Sequence, residues 1–186
     1  MPDTHRFLTA LRRVIRPFPT SPAGRPDRPA PTVTDAASPP RADDEEWPGR
    51  SGPSATVELD PAGIRRVRFA YTPERDGEPD PGEVVWTWVP YEERDGRGKD
   101  RPVVVVAAGT EGRFLAVQLT SRPQDGNGDA VALGAGAWDG EGRPSWARID
   151  RVFLVHTDGM RREAASLDAD RYGRVVDALA ARYGWG

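Results

Sequence analysis

Arg101 opens one run of β-branched residues, RPVVVVAA, and Thr120-Ser121 close a second, RFLAVQLTS, with Gly109-Thr110-Glu111-Gly112 turning the chain between them. An arginine fork fits phosphate oxygens bidentately. It keeps its charge to above pH ~12, so it is a clamp for developing negative charge and a poor base. A threonine hydroxyl can hydrogen-bond the same oxygens. Groups for other chemistries are scarce. The chain has no cysteine, which excludes disulfides, thiolate nucleophiles and cysteine-bound metals. Its two histidines, His5 and His156, are too few for a histidine metal cage. No metal and no cofactor are expected.

These residues need a frame, and the frame does not take up the whole chain. Eleven of the 19 prolines lie between Pro2 and Pro53. From Pro17 to about Ser54 the composition cannot bury enough apolar surface to offset its ordering entropy, so a disordered linker is expected. Within it, Asp43-Asp44-Glu45-Glu46 reads as a solvated acidic patch, and Trp47 is the one residue with real burial potential. Ahead of the linker, Phe7, Leu8, Leu11, Val14 and Ile15 form a helical stripe among arginines, a short basic amphipathic helix that Pro17 ends. The expected organisation is therefore helix plus linker over 1–54 and a folded domain over 55–186. No run approaches the ~20 apolar residues that span a bilayer, and the N-terminus is a poor signal peptide. A cytoplasmic protein with no membrane partner is expected.

In the folded part, TVELD, IRRVRFAY (64–71), EVVWTWVPY (83–91), RPVVVVAA (101–108), RFLAVQLTS (113–121), AVALG (130–134) and ARIDRVFLVH (147–156) read as strands. RPVVVVAA is apolar on both faces and so central. Trp86 and Trp88 share a face opposite Val85 and Thr87; they read as core, with a base-stacking platform as the alternative. The loop between the second and third of the long strands, EERDGRGKD, is charged and carries two glycines, so it is expected to be mobile. Asp168 is an N-cap for a helix marked by Tyr172, Val175, Val176, Leu179 and Tyr183. Short links between the longest strands predict a mainly β (α+β) domain. About six mostly antiparallel strands curl toward a small barrel, and one helix follows at the C-terminus.

The segments GEVVWTWVPYEE, KDRPVVVVA, FLAVQLTS and IDRVFLVH resemble the MazF/PemK (Kid) family of toxin endoribonucleases. The likeness rests on Gly82-Glu83-Val84-Val85-Trp86 as the opening motif, then Arg101-Pro102 before a hydrophobic strand, then Thr120-Ser121 at a strand end. It covers roughly residues 80–183. The resemblance implies an SH3-like barrel, a homodimer, and cleavage of single-stranded RNA at short sequences. It also implies a cognate antitoxin whose disordered tail covers the RNA groove. By carry-over Arg101 and Thr120 are the catalytic pair, and the family's loop acid falls near Glu92 or Glu93. Ile149-Asp150-Arg151 stand where the family has Asp-Gln, so that position is not carried over.

Metal-free RNA cleavage uses attack of the 2′-OH on the adjacent phosphorus. A site must orient that oxygen, help remove its proton, stabilise the phosphorane and protonate the leaving 5′-oxygen. Arg101 fits the role of electrostatic clamp or proton donor, and Thr120 supports it. Residues after 54 carry 18 basic and 22 acidic side chains, so any footprint for RNA, or for DNA, must be local. Arg97, Lys99 and Arg122, with Ser121 and Glu93, are the supporting RNA-binding candidates. The alternative function is a non-catalytic SH3-like module that binds nucleic acid or a protein partner. Whether Arg101 and Thr120 meet in an open groove separates the two readings.

Overall fold

The computed structural model describes residues 47–74 and 78–186. The helix expected over 4–15 and the linker up to residue 46 lie outside them. The described chain forms strands β1 (Val57–Leu59), β2 (Glu83–Pro90), β3 (Gly98–Ala108), β4 (Arg113–Thr120), β5 (Ala130–Gly134), β6 (Ser145–Arg148), β7 (Val152–His156) and β8 (Met160–Ser166), then helix α1 (Ala169–Tyr183). The sheet order is β1-β7-β4-β3-β2-β8, and the β5–β6 hairpin joins through β4. Every pairing among these strands is antiparallel. The result is a half-barrel with one C-terminal helix.

Two features curl the sheet. Strand β4 pairs with β7 over residues 113–116 and then with β6 at Leu119 and Thr120, so it changes neighbours midway. Register shifts also interrupt the ladders at Val84/Val85 in β2 and at Val105/Ala107 in β3. Such irregularities bend a strand and increase its twist.

The central place of RPVVVVAA follows from its burial on both faces. Val104 and Val106 join Val84, Val117, Leu119 and the helix residues Tyr172, Val175 and Leu179 in one core. Val103 and Val105 join Val85, Val89, Phe114, Ala116 and Phe153 in a second core on the other face. Burying each such valine, leucine or phenylalanine is worth about 1.5–3 kcal/mol relative to exposure. Helix α1 begins where Asp168 accepts the Arg171 N–H at 2.8 Å, and it ends at Gly184 in the left-handed region.

The structure departs from the sequence reading in four places. Residues 64–71 join no ladder. Side chains hold them instead. The Tyr172 hydroxyl lies 3.0 Å from the Ala70 carbonyl and 2.8 Å from that of Val106, and the Tyr71 hydroxyl donates to Leu167 O at 2.8 Å. Burial pushes the Tyr172 phenol up to about 12, so it stays a donor. Second, ARIDRVFLVH is two strands, β6 and β7, broken at Ile149-Asp150-Arg151. Third, β8 has too polar a sequence to read as a strand, yet it pairs with β2. Fourth, Trp86 and Trp88 are half-buried on the outer side of β2, while Val85, Thr87 and Val89 fill the interior.

Ordered structure also begins earlier than residue 55, because residues 47–54 are docked on the sheet. The Trp88 N–H donates to Pro48 O at 3.1 Å, the Arg50 guanidinium sits over the Trp88 ring, and Arg161 sits over Trp47. Gly49 is buried with φ +82°, and a Cβ there would fall 2.3 Å from Thr87 Oγ1 and 2.6 Å from Gly159 O. Only glycine fits that approach. Thr87 in turn donates to Gly159 O at 2.6 Å and lies 2.7 Å from Thr56 Oγ1.

Candidate functional site

Arg101 and Thr120 reach one place because of the pleat. Successive side chains on a strand alternate faces, so Arg101 shares the face of Val103 and Val105, and Thr120 shares that of Ala116 and Gln118. The last β3–β4 rung pairs Val103 with Gln118. Beyond that rung the β3–β4 ladder ends, and a cleft of about 480 Å³ opens there. Arg101, Gln118 and Thr120 lie along it, with Tyr91, Glu92, Glu93 and Arg97 from the β2–β3 loop on one side and Arg122, Arg148 and Arg151 on the other. A second cleft of about 440 Å³, lined by Trp86, Lys99, Pro102 and Ser121, shares Arg101, Thr120 and Arg122 with the first.

The seven residues singled out in the sequence therefore fall on these two clefts. Arg101, Thr120 and Arg122 line both; Glu93 and Arg97 line the first; Lys99 and Ser121 line the second. Arg101 and Thr120 are half-buried, whereas Glu93, Arg97, Lys99, Ser121 and Arg122 are exposed. Arg97 is tied to Asp95 at 2.6 Å, which reduces what it can offer a ligand. Thr120 Oγ1 accepts the Arg122 N–H at 3.2 Å, so the hydroxyl proton is left for another acceptor.

Besides Arg97, four arginines line this cleft, and they divide by partner. Arg151 is 7 % exposed; it donates to Glu58 at 3.1 and 2.7 Å and to Pro90 O at 2.9 Å. Arg148 is held by both oxygens of Asp150 and approaches Glu92 at 3.4 Å. Among the described residues, the guanidinium groups of Arg101 and Arg122 make no hydrogen bond and no ion pair. Burial pushes the Arg101 guanidinium below its ordinary value, opposed by Tyr91, and Arg122, Arg151 and Arg148 push it the same way. A guanidinium crowded by like charges is a ready partner for an anion.

Sequence reasoning missed Gln118, Arg148 and Arg151. Gln118 is 6 % exposed, and its side-chain oxygen has no partner among the described residues, so its amide is a buried polar group on the cleft lining. The signal in the sequence was a glutamine at an inward position of a strand rich in apolar residues. Arg148 and Arg151 bracket the break between β6 and β7, which was read as one continuous strand. The loop expected to be mobile is a built turn: the Tyr91 N–H donates to Arg97 O at 3.0 Å, and the Arg94 N–H donates to Tyr91 O at 3.2 Å. Among the described residues no group of three His, Cys, Asp or Glu side chains is placed to hold a metal ion, and no helix is long and apolar enough to cross a membrane.

A sequence model of the PemK-like, MazF-like toxin of type II toxin-antitoxin system matches residues 80–182. Solved structures similar to the chain include a MazE-MazF complex from Deinococcus radiodurans, at 22 % identity and TM-score 0.43, covering 57 % of this chain and 96 % of that one. The toxin MazF-mt6 of Mycobacterium tuberculosis is 14 % identical at TM-score 0.42, covering 56 % and 98 %. An endoribonuclease from a mycobacterial species is 17 % identical at TM-score 0.43, covering 60 % and 97 %. No curated protein matches significantly in sequence.

Proposed function

The chain belongs to the PemK-like, MazF-like toxins of type II toxin-antitoxin systems, and on that premise we propose that it is an endoribonuclease that cuts single-stranded RNA in the cleft around Arg101. One observation carries the reading. Arg101 and Arg122 line the same cleft as Thr120 and, among the described residues, their guanidinium groups have no carboxylate partner, while the neighbouring Arg148 and Arg151 are paired with Asp150 and Glu58. Two uncommitted guanidinium groups beside a hydroxyl fit the non-bridging oxygens of one phosphodiester.

The reaction follows from that placement. With the phosphate held between Arg101, Arg122 and Thr120, the preceding 2′-oxygen bonds to phosphorus and gives up its proton. Glu92 or Glu93, both of which line the cleft, takes it in this reading. Extra charge builds on the non-bridging oxygens of the phosphorane, where the arginine clamp acts most strongly. The P–O5′ bond then breaks and the 5′-oxygen takes a proton, for which this reading assigns Arg101 as donor. The products are a 2′,3′-cyclic phosphate and a 5′-hydroxyl. No step calls on a metal ion.

The same reading takes RNA rather than DNA as substrate, because only RNA carries the attacking hydroxyl. It includes an antitoxin protein as partner and a homodimer as the working form. The test is direct. Purified protein is incubated with a long single-stranded transcript and with DNA of the same sequence, and new ends are probed for 5′-hydroxyls. Cutting of the RNA alone supports the reading; an intact transcript rejects it.

A further inference from the structure

The loop that borders Arg101 is fastened by a part of the chain that lies outside residues 80–182. Glu58 belongs to β1, which among the described strands pairs with β7. Its carboxylate accepts both arms of Arg151, at 3.1 and 2.7 Å. The same Arg151 donates to the carbonyl of Pro90, the last residue of β2 before the loop, at 2.9 Å. From within the loop, Arg94 reaches back to Glu58 at 3.5 Å. Arg94 is also a non-glycine residue with φ +52°, a conformation that persists only where its surroundings hold it.

Glu58, Arg151, Pro90 and Arg94 thus form a closed ring around the loop base. We propose that this ring is a positioning device: Glu58 and Arg151 set the height of the 91–97 loop over Arg101, and so the width of the substrate cleft. Arg151 lines the cleft, but its Nε and Nη2 donate to Glu58 and Pro90, which ties it to the loop base. The inference rests on the RNA-cleaving reading of the cleft, yet the loop's attachment can be measured without substrate.

The experiment uses the full chain carrying Glu58→Gln, with Glu58→Asp as the conservative variant. Amide hydrogen exchange over 91–97 is followed beside that of α1, and cleavage is followed on an RNA oligonucleotide carrying a site mapped with the unaltered protein. Glu58→Gln is expected to speed loop exchange about tenfold with α1 unchanged. It should also raise KM about fivefold with kcat within about twofold, and Glu58→Asp should recover part of both. If Glu58→Gln does not fold, Arg151→Lys is used, since a lysine cannot hold Glu58 and Pro90 together, and the same pattern is expected. Unchanged loop exchange in a folded variant overturns the device. Faster exchange with unchanged KM overturns its link to the cleft. If the unaltered protein cuts no RNA, the cleavage reading fails, and the exchange result alone decides the attachment.

Discussion

Arg101 and Thr120 each stand two residues beyond the last β3–β4 rung, on the same face, where the two strands part. Regular pairing places both side chains; the end of that pairing opens the space between them. The position is rigid on the sheet side because Val103 to Val106 are all fully buried. It is open on the other side because the β3–β4 ladder ends at the Val103–Gln118 rung. A charged group held by a packed strand and exposed at its end is preorganised at little cost.

Replacing Arg101 by alanine should therefore remove cleavage and leave the fold. Loss of one electrostatic donor costs about 10²–10³ in rate. The Arg101 guanidinium makes no hydrogen bond among the described residues, so the change in stability should stay within about 0.5 kcal/mol. Arg101→Lys should also be impaired, because a point charge loses the bidentate fit. Paired cleavage and thermal-melt assays on the two variants check both halves.

Residues 47–54 should contribute measurably to stability. A chain beginning at Ala55 loses the Pro48 carbonyl under the Trp88 N–H, the Gly49 carbonyl under the Thr56 N–H, and Arg50 over Trp88. At roughly 1 kcal/mol for each hydrogen bond and about 0.5–1 for the cation–π contact, the loss is on the order of 2–3 kcal/mol. The unfolding midpoint should fall by several degrees. Gly49→Ala in the full chain should act in the same direction, because its Cβ has no room. An unchanged midpoint for both would show that this segment is not held to the sheet in solution.

Stability should fall in acid, in part through Glu58. Hydrogen bonds from Arg151 hold its carboxyl below the ordinary 4.5, against the opposing effect of burial. A lowered carboxylate stabilises the fold above its unfolded value and loses that contribution as pH falls through the lowered one. The stability gap between the unaltered protein and Glu58→Gln should thus be full at pH 7 and shrink progressively below about 4.5. Chemical denaturation of both between pH 7 and pH 3 measures it. A gap that widens in acid would contradict the assignment.

The parts of this fold that were legible in sequence are those fixed by burial. EVVWTWVPY, RPVVVVAA and RFLAVQLTS declare themselves by apolar alternation or apolar runs, and α1 by its stripe and its Asp168 cap. What escaped was set by tertiary partners. IRRVRFAY alternates like a strand, but its anchoring groups are taken by Tyr172 and Leu167 rather than by a ladder. Conversely, β8 is polar because Arg162 reaches across to Glu83 at 2.7 and 2.8 Å, a contact that no pattern announces. Trp86 and Trp88 read as core because tryptophan usually is. Here the valines on the opposite face fill the interior, and Arg50 covers Trp88 from outside. In the cleft, Arg101, Thr120 and Arg122 were visible from the ends of strands, whereas Arg148 and Arg151 were hidden by a chain break inside an apparently continuous strand.

The measurement closest to the central claim is the chemistry of the RNA ends. A single-stranded transcript is treated, in the presence of a chelator, with the unaltered protein and with Arg101→Ala. New 3′ and 5′ termini are then identified by mass spectrometry. The account predicts 2′,3′-cyclic phosphates and 5′-hydroxyls at a short recurring sequence, made by the unaltered protein and lost by about 10²-fold or more in the variant. Ends bearing 5′-phosphates, or equal cutting by Arg101→Ala, would contradict it.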